Sequence, residues 1–173
     1  MGGRGESTYG DETRRLKSKR MVKIYTLTSE QWLPRPLEAV FEFFSRPENL
    51  QSITPPWLDF RIVKSPADLQ VGSLIHYSLR WRFVPLRWTT QITAWTPPHR
   101  FVDIQISGPY TLWEHEHRFL EENQGTRMYD KVRYSLPLGF IGTLAHQGWV
   151  KADLDKIFDF RRMKMEELIG KRP

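Results

Sequence analysis

Residues 112–119 read Leu-Trp-Glu-His-Glu-His-Arg-Phe and place two histidines two positions apart, His115 and His117. On a β-strand alternate side chains share a face, so both imidazoles project the same way. Two such rings with a nearby carboxylate could ligate a metal ion. One ring oriented by a carboxylate could instead move a proton near neutral pH. A third reading is a polar patch in the wall of an otherwise apolar cavity. The remaining histidines, His76, His99 and His146, stand at no ligand spacing to this pair. The chain has no Cys, which removes thiolate nucleophiles and sulfur ligands. It has no GxGxxG or GxxxxGK[ST] phosphate loop and no GxSxG elbow.

Which of these chemistries applies depends on the elements that carry the histidines. Residues 22–33 alternate and are rich in β-formers, which predicts a strand. Pro36 suits a first helical turn, and Leu37, Val40, Phe41 and Phe44 predict a short amphipathic helix over 36–45. Ser45 is expected to cap a second helix with Pro47 near its start, running to Ile53 and ended by Pro55-Pro56. Strands follow over 58–64, 73–83, 87–96, 100–107, 111–121 and 126–136. Turns are expected at Val84-Pro85-Leu86, Pro97-Pro98, Gly108-Pro109 and Asn123-Gln124-Gly125. After an apolar connector over 136–148, Val150, Leu154, Ile157, Phe158, Met165, Leu168 and Ile169 predict one long helix over 149–170, capped at Gly170. An antiparallel meander must bury one face, and the long helix is its natural partner.

A two-residue turn over Asn123-Gln124 sets Phe119 opposite Met128, His117 opposite Asp130, His115 opposite Val132 and Trp113 opposite Tyr134. On the other face Glu116 then meets Lys131 and Glu114 meets Arg133, which is the charge pairing of a solvent face. The histidine face therefore reads as interior. A turn over Gly108-Pro109 would set Val102 opposite His115 and Ile104 opposite Trp113, giving an apolar row of Val102, Ile104 and Ile106 beside the rings. A one-residue slip in either hairpin reverses every side chain. A buried Asp130 needs a donor, and an imidazole N–H supplies one. A hydrogen-bonded His–Asp pair is the commoner arrangement, so no metal and no cofactor are assigned from sequence.

Composition supports an aromatic-rich interior: 13% of residues are Phe, Trp or Tyr, with seven Trp. The net charge is +6, and residues 1–20, with six Lys/Arg against three Asp/Glu, carry half of it. That Gly-rich stretch is expected to be a disordered basic tail, with the strand pattern starting at Met21. Arg80 and Arg82 alternate with Leu79, Trp81 and Phe83 as in an ordinary two-faced strand, so no stable nucleic-acid partner is expected. No apolar run reaches the length of a membrane span and no signal peptide is evident, so a cytoplasmic, non-inserting protein is expected.

The element order resembles the START-like, or SRPBCC, helix-grip superfamily over residues 21–170. The segments that carry the resemblance are PRPLEAVFEFF (34–44), PENL (47–50), ITPPWL (53–58), GPYTLWEHEHRF (108–119), GTRMYDKVRYSLPLG (125–139) and IFDFR (157–161). They are most similar to a bacterial group of ligand-binding SRPBCC proteins. The resemblance implies an α+β helix-grip fold: a curved seven-stranded antiparallel sheet around a long C-terminal helix, with two short helices after the first strand. It also implies an internal cavity for a small hydrophobic molecule such as a lipid, isoprenoid or polyketide-like compound. Similar domains occur fused to epimerase-like reductases, which points to a reductase or epimerase-like functional partner. The expected lining is Tyr77, Ile92, Ile104, Trp113, His115, His117, Met128, Asp130, Val132, Tyr134, Phe158 and Met165. Gly139 and Gly142 are expected to flank a mobile gate. The expected role is binding rather than catalysis. Two competing roles are a cofactor-independent cyclase or dehydratase using His117 and Asp130, and a macromolecule-binding module of the ribosome-associated toxin type.

Overall fold

A computed structural model describes residues 23–137 and 146–170, the side chains of residues 146 and 147 excepted. The basic tail over 1–20 and the gate at Gly139 and Gly142 lie outside the described residues. The described chain runs β1 (Tyr25–Leu33), α1 (Leu37–Ser45), α2 (Pro47–Ser52), a 3-10 turn (Pro56–Leu58) and β2 (Arg61–Lys64). It continues as β3 (Leu74–Trp81), β4 (Val84–Thr96), β5 (Arg100–Ser107), β6 (Leu112–Glu122) and β7 (Gly125–Ser135). A π turn (His146–Val150) then leads into α3 (Lys151–Ile169). The seven strands form one sheet in the order β1-β7-β6-β5-β4-β3-β2, antiparallel at every pairing. The meander supplies all but one of these pairings through local hairpins, and β1 closes on β7 from the other end of the chain. This is the helix-grip arrangement.

Helix α3 buries Leu154, Phe158 and Met165 toward the sheet. It is held at both ends by polar contacts. Trp81 Nε1 donates to Asp153 Oδ2 in the first turn (2.8 Å), and Arg35 Nε donates to the Ile169 carbonyl in the last (3.1 Å). An acid at the N-terminus and a cation at the C-terminus both complement the helix dipole. Two apolar clusters flank the helix. One gathers Leu33, Val40, Phe41, Phe119, Met128 and Met165 under α1, and the other gathers Val132, Tyr134, Val150, Leu154 and Phe158.

Several local expectations are corrected. Ser45 does not cap α2; its hydroxyl donates back to the Glu42 carbonyl (2.9 Å), and α2 starts at Arg46-Pro47 with no side-chain cap. The expected strand over 58–64 is shortened, because Pro55-Pro56 opens a 3-10 turn and Asp59 then takes a left-handed conformation (φ 42°). Aspartate tolerates that region better than most residues. The β3–β4 turn lies over Arg82-Phe83, not Val84-Pro85-Leu86: Trp81 pairs with Val84, Arg80 with Pro85 and Leu79 with Leu86. Pro85 was misleading as a breaker because proline is tolerated near the start of a strand.

The β6–β7 turn is a two-residue turn as expected, and both its residues have positive φ (Asn123 51°, Gln124 59°). Gly125, which is free to adopt that conformation, instead lies in the ladder opposite Glu122. A left-handed conformation costs a non-glycine residue roughly 1–2 kcal/mol. Gln124→Gly is therefore expected to stabilise the fold by about 0.5–1 kcal/mol, read as a higher urea midpoint at unchanged slope. A lower midpoint would show that the Gln124 side chain supports the turn.

Candidate functional site

The β6–β7 register holds at every position argued from sequence: Trp113 pairs with Tyr134, His115 with Val132, His117 with Asp130 and Phe119 with Met128. On the convex face Glu114 accepts from Arg133 Nη1 (3.0 Å). Glu116 sits opposite Lys131 but accepts from Arg100 Nε (2.6 Å) and Arg118 Nε (2.8 Å) instead. These guanidiniums hold its carboxyl below the usual range against the opposing effect of partial burial.

The β5–β6 register is displaced by one residue from the expected one. Asp103, not Val102, faces His115; Phe101 faces His117; Ile104 faces Glu114. The cause lies in the connection. Proline cannot adopt the positive φ that the second position of a type I′ turn requires, and Gly108 does not take positive φ either. The chain makes a longer turn in which the Gln105 side chain bridges to both the carbonyl and the N–H of Tyr110 (2.7 and 3.3 Å). The apolar row of Val102, Ile104 and Ile106 thereby moves to the convex side, where Ile106 is 51% exposed. Phe101 and Asp103 take its place on the concave face.

A cavity of about 400 Å³ lies between the concave face of the sheet, the two short helices and α3. Of the residues expected to line it, Tyr77, Ile92, Trp113, His115, His117 and Phe158 do. Ile104 does not, because the register shift turns it outward. Met128 and Met165 pack in the cluster beneath α1, and Val132 and Tyr134 in the cluster beside Leu154. They face the interior as alternation predicts, but they pack in these clusters and do not line the cavity. Asp130 is buried behind the two histidines rather than on the cavity surface. Sequence reasoning missed Trp88, Thr90, Asp103, Tyr110 and Arg161, which also line it. Arg161 was available from spacing, since Leu154, Phe158 and Arg161 fall on one face of α3.

The polar end of the cavity is built around Asp130. Its Oδ1 accepts from His115 Nε2 (3.0 Å) and lies 2.7 Å from His117 Nδ1. The second contact is close but poorly directed for a hydrogen bond. A carboxylate only accepts, so His115 Nε2, which is hydrogen-bonded to it, is the protonated nitrogen of that ring. The other nitrogens, His115 Nδ1 and His117 Nε2, each stand 4.0 Å from Asp103 Oδ2. Thus Asp103, not Asp130, is the carboxylate that could join the two rings around an ion. Phe101 stacks on His117 at 4.2 Å between centroids, and Phe158 meets His115 edge-on at 5.8 Å. Aromatic packing on both rings fixes their planes.

Burial opposes ionisation of Asp130, but the imidazoles of His117 and His115 beside it hold its carboxyl well below the usual carboxylate range. Burial pushes the Asp103 carboxyl up, only partly offset by His115 and Arg161. Burial, then the neighbouring His117, lowers the His115 imidazole despite both aspartates. Burial and Asp103 push the Tyr77 phenol well above its ordinary value. The wall thus carries one carboxylate stabilised as an anion and a second that burial disfavours as one. Two donors in the same cavity wall, Trp88 Nε1 and Arg161 Nε, are buried without a hydrogen-bond partner among the described residues.

A family model described as polyketide cyclase / dehydrase and lipid transport matches residues 33–165. No curated protein matches the chain in sequence. Among solved structures, protein CV1439 from Chromobacterium violaceum is similar at 12% identity and a TM-score of 0.67, over 86% of this chain and 99% of that one. The major latex-like protein 151 from Panax ginseng is similar at 10% identity and a TM-score of 0.62, over 83% and 96%. A nucleoside-diphosphate sugar epimerase from Corynebacterium glutamicum is similar at 22% identity and a TM-score of 0.62, over 82% of this chain but 28% of that one. Likeness at these identities shows the fold, and the epimerase-like partner expected from sequence gains no support from it. Among the described residues no helix is long and apolar enough to cross a membrane.

Proposed function

The chain belongs to the polyketide cyclase / dehydrase and lipid transport family, and from that premise we propose that it binds a compact, largely apolar molecule carrying an oxygen acceptor. The observation that carries this reading is the cavity itself. Its volume, about 400 Å³, lies toward the small end of the range for small-molecule sites. Trp88, Trp113, Tyr110 and Tyr77 form an aromatic wall, with ring centroids 4.8–5.9 Å apart between the contacting pairs. Flat faces at that spacing suit a ring system better than an extended acyl chain. The acceptor oxygen follows from the two unpartnered donors, since a buried donor without a partner costs about 1–3 kcal/mol. A guest oxygen near Trp88 Nε1 or Arg161 Nε would relieve that cost, and a negative charge would also meet the Arg161 guanidinium.

Two fluorescent probes test this. N-phenyl-1-naphthylamine is neutral, and 8-anilinonaphthalene-1-sulfonate carries a similar ring system with an anionic group. Both are expected to bind and to quench tryptophan emission. Arg161→Gln is expected to weaken the sulfonate about tenfold, which corresponds to about 1.4 kcal/mol, while leaving the neutral probe within about twofold. If neither probe binds the folded protein, the binding reading fails. Equal weakening of both probes would remove Arg161 as the group that reads the guest's charge.

One observation favours a second reading, proton transfer to or from the guest. Each histidine turns one nitrogen to Asp130 and the other toward the cavity side, the arrangement of an oriented acid–base imidazole. His117→Gln separates the two: binding would survive in both cases, whereas turnover of a guest would collapse only in the second.

A further inference from the structure

We propose that Asp103, His115 and His117 form a binding site for a divalent transition-metal ion of the Zn²⁺ or Fe²⁺ class, with its open coordination positions facing the cavity. The first observation is the direction of the lone pairs. Asp130 accepts from His115 Nε2, which leaves the acceptor lone pair on His115 Nδ1, and His117 Nε2 is the nitrogen of its ring turned toward Asp103. Each of the two stands 4.0 Å from Asp103 Oδ2, and Asp103, His115 and His117 can each offer a ligand atom within 4.8 Å of the others. Three side chains able to ligate an ion therefore converge on one point of the wall. At 4.0 Å they are too far apart to share a hydrogen bond directly.

The spacing suits an ion better. Donors at about 2.0–2.2 Å around a tetrahedral centre stand about 3.4 Å from one another. Each side chain would move inward by a few tenths of an ångström, roughly, to bind. Charge points the same way. Asp103 and Asp130 are two carboxylates in one buried wall, and a divalent cation would balance them. Arg161 lines the same cavity but makes no ion pair to either among the described residues.

Ligand chemistry narrows the ion. Two imidazoles and one carboxylate favour zinc or ferrous iron over magnesium or calcium, which prefer all-oxygen shells. Three protein donors with a free side is the arrangement of open sites. Asp130 takes the place of the outer carboxylate that orients ligating histidines and fixes their tautomers. The three donors line the cavity and Asp130 does not, so an ion there would present its free positions to a guest. This inference does not depend on the binding reading, because the donor set is complete without a guest.

The test uses the full chain, stripped with a chelator, dialysed and titrated with Co²⁺ as a visible-absorption probe, then with Zn²⁺ in competition. A stoichiometric complex with ligand-field bands, displaced by Zn²⁺, is expected. Asp103→Leu and His117→Gln are each expected to abolish the bands, and Asp130→Asn to weaken Co²⁺ affinity about 10–100-fold. Circular dichroism on each variant separates loss of the site from loss of the fold. Asp103→Leu is the decisive variant, because it removes a ligand without removing a structural contact. Absence of stoichiometric binding in the wild type would overturn the proposal, as would unchanged affinity in a folded Asp103→Leu protein. Binding of N-phenyl-1-naphthylamine to the stripped protein reports the cavity separately, so either reading can fail without the other.

Discussion

Asp103→Leu is expected to raise the stability of the metal-free protein by about 1–3 kcal/mol. The Asp103 side chain is 16% exposed, and nothing among the described residues donates it a hydrogen bond. Its nearest cationic candidates are the two imidazoles, at 4.0 Å beyond hydrogen-bond reach. A carboxylate in that position loses hydration without gaining a donor. Leucine has a similar volume and would sit across from Ile92, its pairing partner on β4. The expected sign is therefore opposite to that of most buried substitutions. It also has a pH dependence. Burial raises the folded-state pKa of Asp103 above its unfolded value. A raised carboxyl costs nothing below the unfolded value of about 3.9 and destabilises progressively as pH rises through the folded one. The advantage of leucine should vanish in acid and reach its full size above the folded pKa. Urea unfolding of chelator-treated protein at several pH values measures this. A loss of stability in the variant would show that Asp103 supports the fold.

A stabilising substitution that abolishes metal binding would mark Asp103 as a residue kept for function, in the manner of stability–activity trade-offs. That possibility was hidden in the sequence for a physical reason. On β6 and β7 the two faces differ sharply: Glu114, Glu116, Lys131 and Arg133 on one, Trp113, Phe119, Val132 and Tyr134 on the other. A slip there would bury charges, so composition alone sets the register. On β5 the contrast fails. Val102, Ile104 and Ile106 look more like an interior row than Phe101, Asp103 and Gln105, and only the geometry of the turn decides between them. Gln105 completes that turn through its side chain, an interaction that alternation cannot show. The order of elements was legible because breakers punctuate the meander at nearly every hairpin. The cavity lining was only half legible, since alternation separates interior from exterior but not cavity from core. Met128 and Trp113 share a face of the sheet, yet Met128 is covered by the cluster beneath α1 while Trp113 meets the open space.

The second aspartate of the site should behave in the opposite way. Asp130→Ala is expected to cost about 3–5 kcal/mol, or a fall in Tm of about 10 °C at roughly 2–4 °C per kcal/mol for a chain of this size. Asp130 is buried, and so are both rings that face it. Removing the carboxylate strands the His115 Nε2–H in a wall packed by Phe101 and Phe158 and takes away the anion beside His117. It also leaves a void behind the rings, which adds a packing loss. Asp130→Asn keeps the shape and one acceptor oxygen, so its cost should be smaller, about 1–2 kcal/mol. The coupling is measurable: in a His115→Leu background the cost of Asp130→Ala should fall by about 1 kcal/mol or more, because one stranded donor is already gone. If Asp130→Ala and Asp103→Leu changed stability in the same direction, the two carboxylates would share one structural role. Opposite signs would separate them, with Asp130 building the histidine wall and Asp103 placed on that wall at the expense of stability.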